Sequence, residues 1–300
     1  MNYLLFALPG NEALATSLAG LLQADMGEVI VRQFPDSETY VRLKTDVKDR
    51  NLLLVCSLHQ PDCKLLPLYF LAKTAKELGA ATICLIAPYL AYMRQDIRFQ
   101  PGEGITNRYF ASLLSSFADS MITIDPHLHR VHSMSELYAI PVYVLHAAPA
   151  LASWISKHVK KPLLIGPDEE SSQWVSVVAA LAEAPYVVLS KTRLGDKQVQ
   201  VKVPDLAAYQ EHTPVLLDDI ISTARTMIET IGHLKGKLTQ PAVCVGVHGI
   251  FAGDAYEALE RAGAARIVTC NTIPHPSNHI NLEVLIAEAV AGNLPLNNNH

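Results

Sequence analysis

The chain has 300 residues, of which 50% are hydrophobic and 18% charged, with 15 glycines, 18 prolines and a formal net charge of −5. At roughly 150 residues per domain that length predicts two domains, and the composition excludes disorder, a collagen-like repeat and a disulfide-stapled miniature. Lysine and arginine never run more than two in a row, so nucleic acid and anionic membrane are not expected partners, and any affinity for phosphate has to be local.

The stretch from Met1 to Gly10 has no basic leader and reads as a first strand rather than a signal peptide, so no export is expected. Short Val, Ile and Leu runs then recur at Asn51 to Ser57, Ala81 to Ala87, Met121 to Ile124, Pro162 to Ile165, Tyr186 to Leu189, Pro214 to Leu217, Ala242 to Val247 and Arg266 to Cys270. Helical patterns lie between them, among them Lys64 to Leu78, closed by Gly79, and Ala255 to Ala262, closed by Gly263. That alternation predicts an α/β fold with mostly parallel sheets flanked by helices, the strands buried on two faces. The longest nearly unbroken apolar run, Ala80 to Met93, contains a proline and two tyrosines and is shorter than the ~18 residues a membrane helix needs. Cys56, Cys84 and Cys244 sit inside apolar runs and no CxxC occurs, which suits small buried hydrophobes in a reducing cytoplasm. Both halves repeat a strand, helix, strand succession. Pro141 and Pro149 mark the join, so domains are expected over 1–146 and 147–300.

Three of these strands run into acidic residues: Asp125, Asp168 after Gly166-Pro167, and the pair Asp218-Asp219. Polar groups at the C-terminal edge of a parallel sheet are where such folds bind ligands, although each aspartate could simply cap a turn. The segment Asp218-Asp219-Ile220-Ile221-Ser222-Thr223-Ala224-Arg225-Thr226 is the most informative. Backbone N–H groups and hydroxyls at the start of a helix favour phosphate, while two adjacent carboxylates accept from vicinal sugar hydroxyls or hold a cation. A sugar phosphate satisfies both ends.

These residues resemble the phosphoribosyl diphosphate loop of the type I phosphoribosyltransferase fold, and more closely that of the ribose-phosphate diphosphokinase family. The likeness extends to Phe34-Pro35-Asp36-Ser37-Glu38 and Pro88 to Asp96, to Asp125-Pro126-His127 and Gly166-Pro167-Asp168, and to Lys191-Thr192-Arg193, His248-Gly249-Ile250-Phe251 and Thr272-Ile273-Pro274. The resemblance implies two similar phosphoribosyltransferase-like domains, Mg²⁺ as cofactor, and transfer of the diphosphoryl group of ATP to ribose 5-phosphate. It implies ATP contacts from Phe34, Asp36, Glu38, Arg94, Gln95, Asp96 and His127. The first three would be lent by a neighbouring subunit of a homo-oligomer. Ribose 5-phosphate falls to Asp168, Asp218, Asp219, Ser222, Thr223, Ala224, Arg225 and Thr226, the metal to His127 and Asp168, and the catalytic lid to Lys191 and Arg193.

The residues support that chemistry in their own right, because diphosphoryl transfer needs neutralised charge and in-line positioning more than covalent work by the protein. Lys191 and Arg193 precede the polar stretch Leu194 to Lys202, which suits a loop that brings positive charge to the reaction, or else solvated charges on a turn. Arg94 is expected to bind an anion or to pair with Asp96. The HxHxxH run His127, His129, His132 keeps a zinc-dependent hydrolase open as a rival. Ser222 stands where relatives commonly have a carboxylate, Arg225 where they have glycine, and Glu169-Glu170 where a small stretch is usual. Ser222 and the short loop after Arg193 are similar to an archaeal-type branch. Arg225 and the Glu169-Glu170 pair leave open a non-catalytic regulatory relative, and a phosphoribosyltransferase is the third reading.

Overall fold

The computed structural model describes residues 3–128, 130–131, 133–168, 171–194, 198–202 and 204–293, with the backbone alone at 191–194, 198–202 and 293. Two compact units emerge, one running to Leu145 and taking in the segment from Glu283, the other His146–Leu282.

The first unit is built on a six-stranded sheet in the order β2-β1-β5-β6-β7-β8, formed by β1 (Tyr3–Ala7), β2 (Asp25–Met26), β5 (Asn51–Val55), β6 (Thr82–Ile86), β7 (Ser120–Ile124) and β8 (Val142–Leu145). Every pairing is parallel. The central strands are buried end to end because helices cover both faces, which is why their sequences are continuous apolar runs. Leu4, Phe6, Leu52, Leu54, Leu68 and Leu71 form the heart of its core. Helices α1 (Glu12–Leu22), α2 (Pro61–Glu77) and α3 (Thr106–Ser115) make the crossovers, and an antiparallel hairpin, β3 (Val29–Gln33) and β4 (Thr39–Leu43), stands apart from the sheet.

The second unit repeats this plan. Its sheet runs β10-β9-β13-β14-β15-β16, from β9 (Pro162–Gly166), β10 (Tyr186–Val188), β13 (Thr213–Ile221), β14 (Val243–Gly249), β15 (Arg266–Cys270) and β16 (Asn278–Ile280), again all parallel. Helices α5 (Ser172–Leu181), α6 (Arg225–Leu234) and α7 (Ala255–Ala262) join the strands, and the hairpin β11 (Ser190–Leu194) and β12 (Gln198–Lys202) occupies the same place in the order as β3 and β4. Gly263 closes α7 with a φ of 103°, a left-handed geometry that glycine adopts without a Cβ penalty.

Three sequence expectations need correction. The second half was expected to run to the C-terminus, but α8 (Glu283–Asn293) belongs to the first unit, where it packs on α1 and β8 with Ile286 and Val290 buried. Conversely α4 (Ala148–His158), which follows β8, packs on α5 and β16 of the second unit. Part of the polar stretch after Arg193, read as loop, is the strand β12. And β13 does not stop at Leu217; pairing with β14 carries it through Ile221. Among the described residues no helix is long and apolar enough to cross a membrane.

Candidate active site

In each unit the chain leaves β1 or β9 toward one edge of the sheet, then returns to build the other side, so the strand order reverses between β1 and β5 and between β9 and β13. The crevice at the C-terminal ends of such a strand pair is where open α/β sheets receive ligands.

In the second unit β9 pairs with β13 only as far as Leu216, while β14 continues alongside to Ile221. Asp218 and Asp219 therefore lie on a strand that has lost its neighbour on one side, and Gly166-Pro167-Asp168 departs from β9 at that point. Opposite Asp218 in register is Gly246, where a Cβ would come within 2.8 Å of the Ile221 side chain, so a larger residue would require Ile221 to shift. Asp168 forms a turn with Ser171: the Ser171 N–H donates to Asp168 Oδ1 at 3.2 Å, and the Ser171 hydroxyl donates to the Asp168 carbonyl at 2.6 Å. Desolvation pushes Asp218 up to about 8, and the negative charges of Asp219 and then Asp168 add to the effect. Three carboxylates thus share one edge. Carboxylate oxygens grouped there can accept hydrogen bonds from sugar hydroxyls.

Beyond Ile221 the loop Ser222-Thr223-Ala224 turns into α6. Ala224 is the left-handed residue, with φ at 56°, whereas Arg225 begins the helix with an ordinary backbone and an exposed side chain. An arginine is therefore accommodated without strain where a glycine was expected. The loop is braced from behind by β14's exit: Ile250 and Phe251 donate their N–H groups to the Ile221 carbonyl at 3.0 and 3.1 Å, and Ala252 donates to that of Ser222 at 3.0 Å. Buried His248 meets the Thr272 hydroxyl at 2.9 Å, and that hydroxyl donates to the Val247 carbonyl at 3.0 Å, tying β14 to the turn after β15. The late segments His248 to Phe251 and Thr272 to Pro274 thus support the loop.

In the first unit the ATP-type stretch lies in the long connection from β6 to α3. Arg94 is exposed, and Asp96 does not pair with it. Instead Asp96, 7% exposed, accepts from Arg130 Nη1 at 2.9 Å, a partner 34 residues away that the sequence did not reveal. Its second oxygen, Oδ2, is buried without a hydrogen-bond partner, an arrangement that is costly unless a ligand completes it. Gln95 Oε1 accepts from the Thr106 hydroxyl at 3.2 Å, which fixes its amide at the start of α3. Asn107, next along and 1% exposed, also has neither side-chain polar atom paired. Asp125 and His127 follow β7, both partly exposed, with Asp125 at φ 35°.

Phe34 to Glu38 forms the tip of the β3–β4 hairpin and is exposed throughout. Phe34 meets Tyr40 edge to face at 5.7 Å, and Asp36 Oδ1 accepts from the Glu38 N–H at 3.3 Å. Lys191 and Arg193 lie on β11, paired with Val201 and Val199, and their side chains lie outside the described residues. So do Glu169, Glu170, His129 and His132, the last two being the partners the zinc reading requires. Among the described residues no group of three His, Cys, Asp or Glu side chains could hold a metal ion.

The family model described as the N-terminal domain of ribose phosphate pyrophosphokinase matches residues 3–117, and that described as the phosphoribosyl transferase domain matches residues 133–287. The chain is 31% identical to the ribose-phosphate pyrophosphokinase of Sulfurisphaera tokodaii, over 92% of this chain and 94% of that one. It is 32% identical to that of Methanopyrus kandleri, with the same coverage of each. Both sources are archaeal, as the archaeal-type features of the sequence lead one to expect. The crystal structure of phosphoribosylpyrophosphate synthetase from Mycobacterium smegmatis shares the fold, with a TM-score of 0.83 at 24% identity over 97% of this chain and 98% of that one.

Proposed function

The chain belongs to the ribose-phosphate pyrophosphokinase family, and from that premise we propose that it transfers the diphosphoryl group of ATP to O1 of ribose 5-phosphate, giving 5-phosphoribosyl 1-diphosphate and AMP. The observation that carries the reading is the second unit's edge, where the crowded carboxylates of Asp218, Asp219 and Asp168 adjoin the phosphate-type loop Ser222 to Thr226.

In this reaction the O1–Pβ bond forms while the bond from Pβ to the oxygen bridging to Pα breaks. AMP keeps that oxygen, and the O1 proton passes to solvent. Asp218 and Asp219 accept hydrogen bonds from the ribose hydroxyls, which fixes the direction of O1. The backbone and hydroxyls of Ser222, Thr223, Ala224 and Thr226 clasp the 5-phosphate, and Arg225 adds a charge at its rim. Arg94, Gln95, Asp96 and His127 hold ATP, with Asp96 Oδ2 as the buried acceptor that a bound nucleotide completes. Lys191 and Arg193 bring positive charge to the transferring group on the β11–β12 hairpin. Asp168 in the second unit and His127 in the first would each serve as a ligand to Mg²⁺, which would neutralise phosphate charge when bound.

The exposed hairpin tip Phe34 to Glu38 supports the proposal that a neighbouring copy completes the ATP site in a homo-oligomer. Four buried free cysteines and one exposed one suit the cytoplasm.

Phosphorus NMR of the purified protein with ATP, Mg²⁺ and ribose 5-phosphate, each omitted in turn, tests the reaction. Joint and sugar-dependent appearance of AMP and an anomeric diphosphate is the expected result. Intact substrates from folded protein would overturn it.

A further inference from the structure

The first unit has a switch-point crevice of its own. A cavity of about 250 Å³ opens beyond the C-terminal end of β1, lined by Leu8 and Pro9 after β1, by Cys63 and Lys64 on α2, the helix that follows β5, and by Arg32 and Thr39 of the β3–β4 hairpin. Every one of these elements has its counterpart around the sugar-phosphate edge of the second unit: the exit of β9, the start of α6, and the β11–β12 hairpin.

The chemistry of the lining is that of a small anion carried on a carbon body. Lys64 enters half-buried, its ammonium donating to the Ser57 carbonyl at 2.8 Å and lying 3.0 and 3.1 Å from the two ring nitrogens of His59. Burial and Lys64 hold His59 down to about 4, so the imidazole stays neutral and Lys64 is the charge on that wall. Burial also lowers Lys64 itself, a cost that a bound anion removes. Arg32 supplies a second cation from the hairpin, its guanidinium held over the rings of Tyr40 and Phe34 at 4.3 and 4.8 Å. Leu8, Pro9, Val31 and Pro67 give the aliphatic surface. At this size the cavity admits a small ligand only.

We propose that this crevice is a second ligand site, distinct from the one on the second unit, and that it binds the phosphate group of a small phosphorylated sugar between Lys64 and Arg32. The proposal goes beyond the transfer reaction, and its choice of a phosphorylated sugar rests on the reading of the second unit's edge. A reporter is built in. Cys63 lines the cavity and is exposed, whereas Cys56, Cys84, Cys244 and Cys270 are at most 3% exposed.

The test is the rate of Cys63 alkylation by iodoacetamide in the native full-length protein, followed by peptide mass spectrometry at constant ionic strength. The probes are ribose 5-phosphate, inorganic phosphate and unphosphorylated ribose. Ribose 5-phosphate at ten times its dissociation constant should slow labelling about tenfold, by mass action. Inorganic phosphate should slow it at higher concentration, and ribose should not. Lys64→Gln and, independently, the exposed-residue variant Arg32→Gln should each remove most of the protection, while Thr226→Ala, aimed at the second unit's loop, should leave it intact. An unchanged rate with either phosphate probe, full protection in both cation variants, or protection lost in Thr226→Ala would overturn the proposal.

Discussion

Replacing Asp218 by asparagine should stabilise the metal-free protein and abolish its activity. The carboxyl, ordinarily near 3.8, is pushed up to about 8 by burial and by the neighbouring Asp219 and Asp168. The folded chain therefore binds more protons than the unfolded chain across that interval, so stability is fully present below pH 4 and is lost progressively as pH rises through 8. At pH 7 the interval from 3.8 spans about three pH units, a ceiling of roughly 4 kcal/mol at 1.36 kcal/mol each. Asp218 keeps partial exposure and shares its charge with two other carboxylates, which brings the expected gain from Asp218→Asn to about 2 kcal/mol. Urea unfolding in the presence of a chelator measures it. Both tryptophans, Trp154 and Trp174, lie in the second unit, so indole fluorescence reports the affected unit directly. The gap between variant and parent should be near zero at pH 4.5 and widen toward pH 8. A gap independent of pH, or a variant less stable than the parent at pH 8, would refute the crowding argument.

His59, held down to about 4, has the opposite sign: its contribution is complete above pH 6.5 and is lost as pH falls toward 4. After allowing for its partial exposure, the protein should lose about 1 kcal/mol over that range by circular dichroism, and His59→Gln should flatten the curve. Arg225→Gly should cost less than about 1 kcal/mol of stability, since Arg225 opens α6 and the full glycine penalty belongs to helix interiors. In the same variant the KM for ribose 5-phosphate should rise about tenfold with kcat retained, through loss of one charged contact. Lys191→Ala should lower kcat by about 10³ with little change in either KM, because its charge is assigned to the transition state. Normal turnover in that variant removes Lys191 from the mechanism.

The doubly covered strands were legible because burial on two faces forces unbroken apolar runs such as Leu52 to Val55 and Leu163 to Ile165. The acidic edge was legible for a related reason: charge following directly on such a run has to emerge at the sheet's end. Both hairpins were missed. Val29 to Gln33 and Thr39 to Leu43 are only partly buried, and Gln198 to Lys202 alternates polar and apolar residues over too short a span to stand out from a loop. The pairing of Asp96 with Arg130 was invisible because an adjacent arginine, Arg94, offered a nearer candidate. Glu283 to Asn293 was not read as a helix, and nothing in its residues says which sheet it covers.

The reciprocal placement of α4 and α8 gives the chain an order of completion. During synthesis the second unit, His146–Leu282, has all its parts as soon as Leu282 has emerged. The first unit, although most of it is made earlier, must wait for the last helix to cover α1 and β8, so its face stays open while the whole second half is translated. The half that is begun first is finished last.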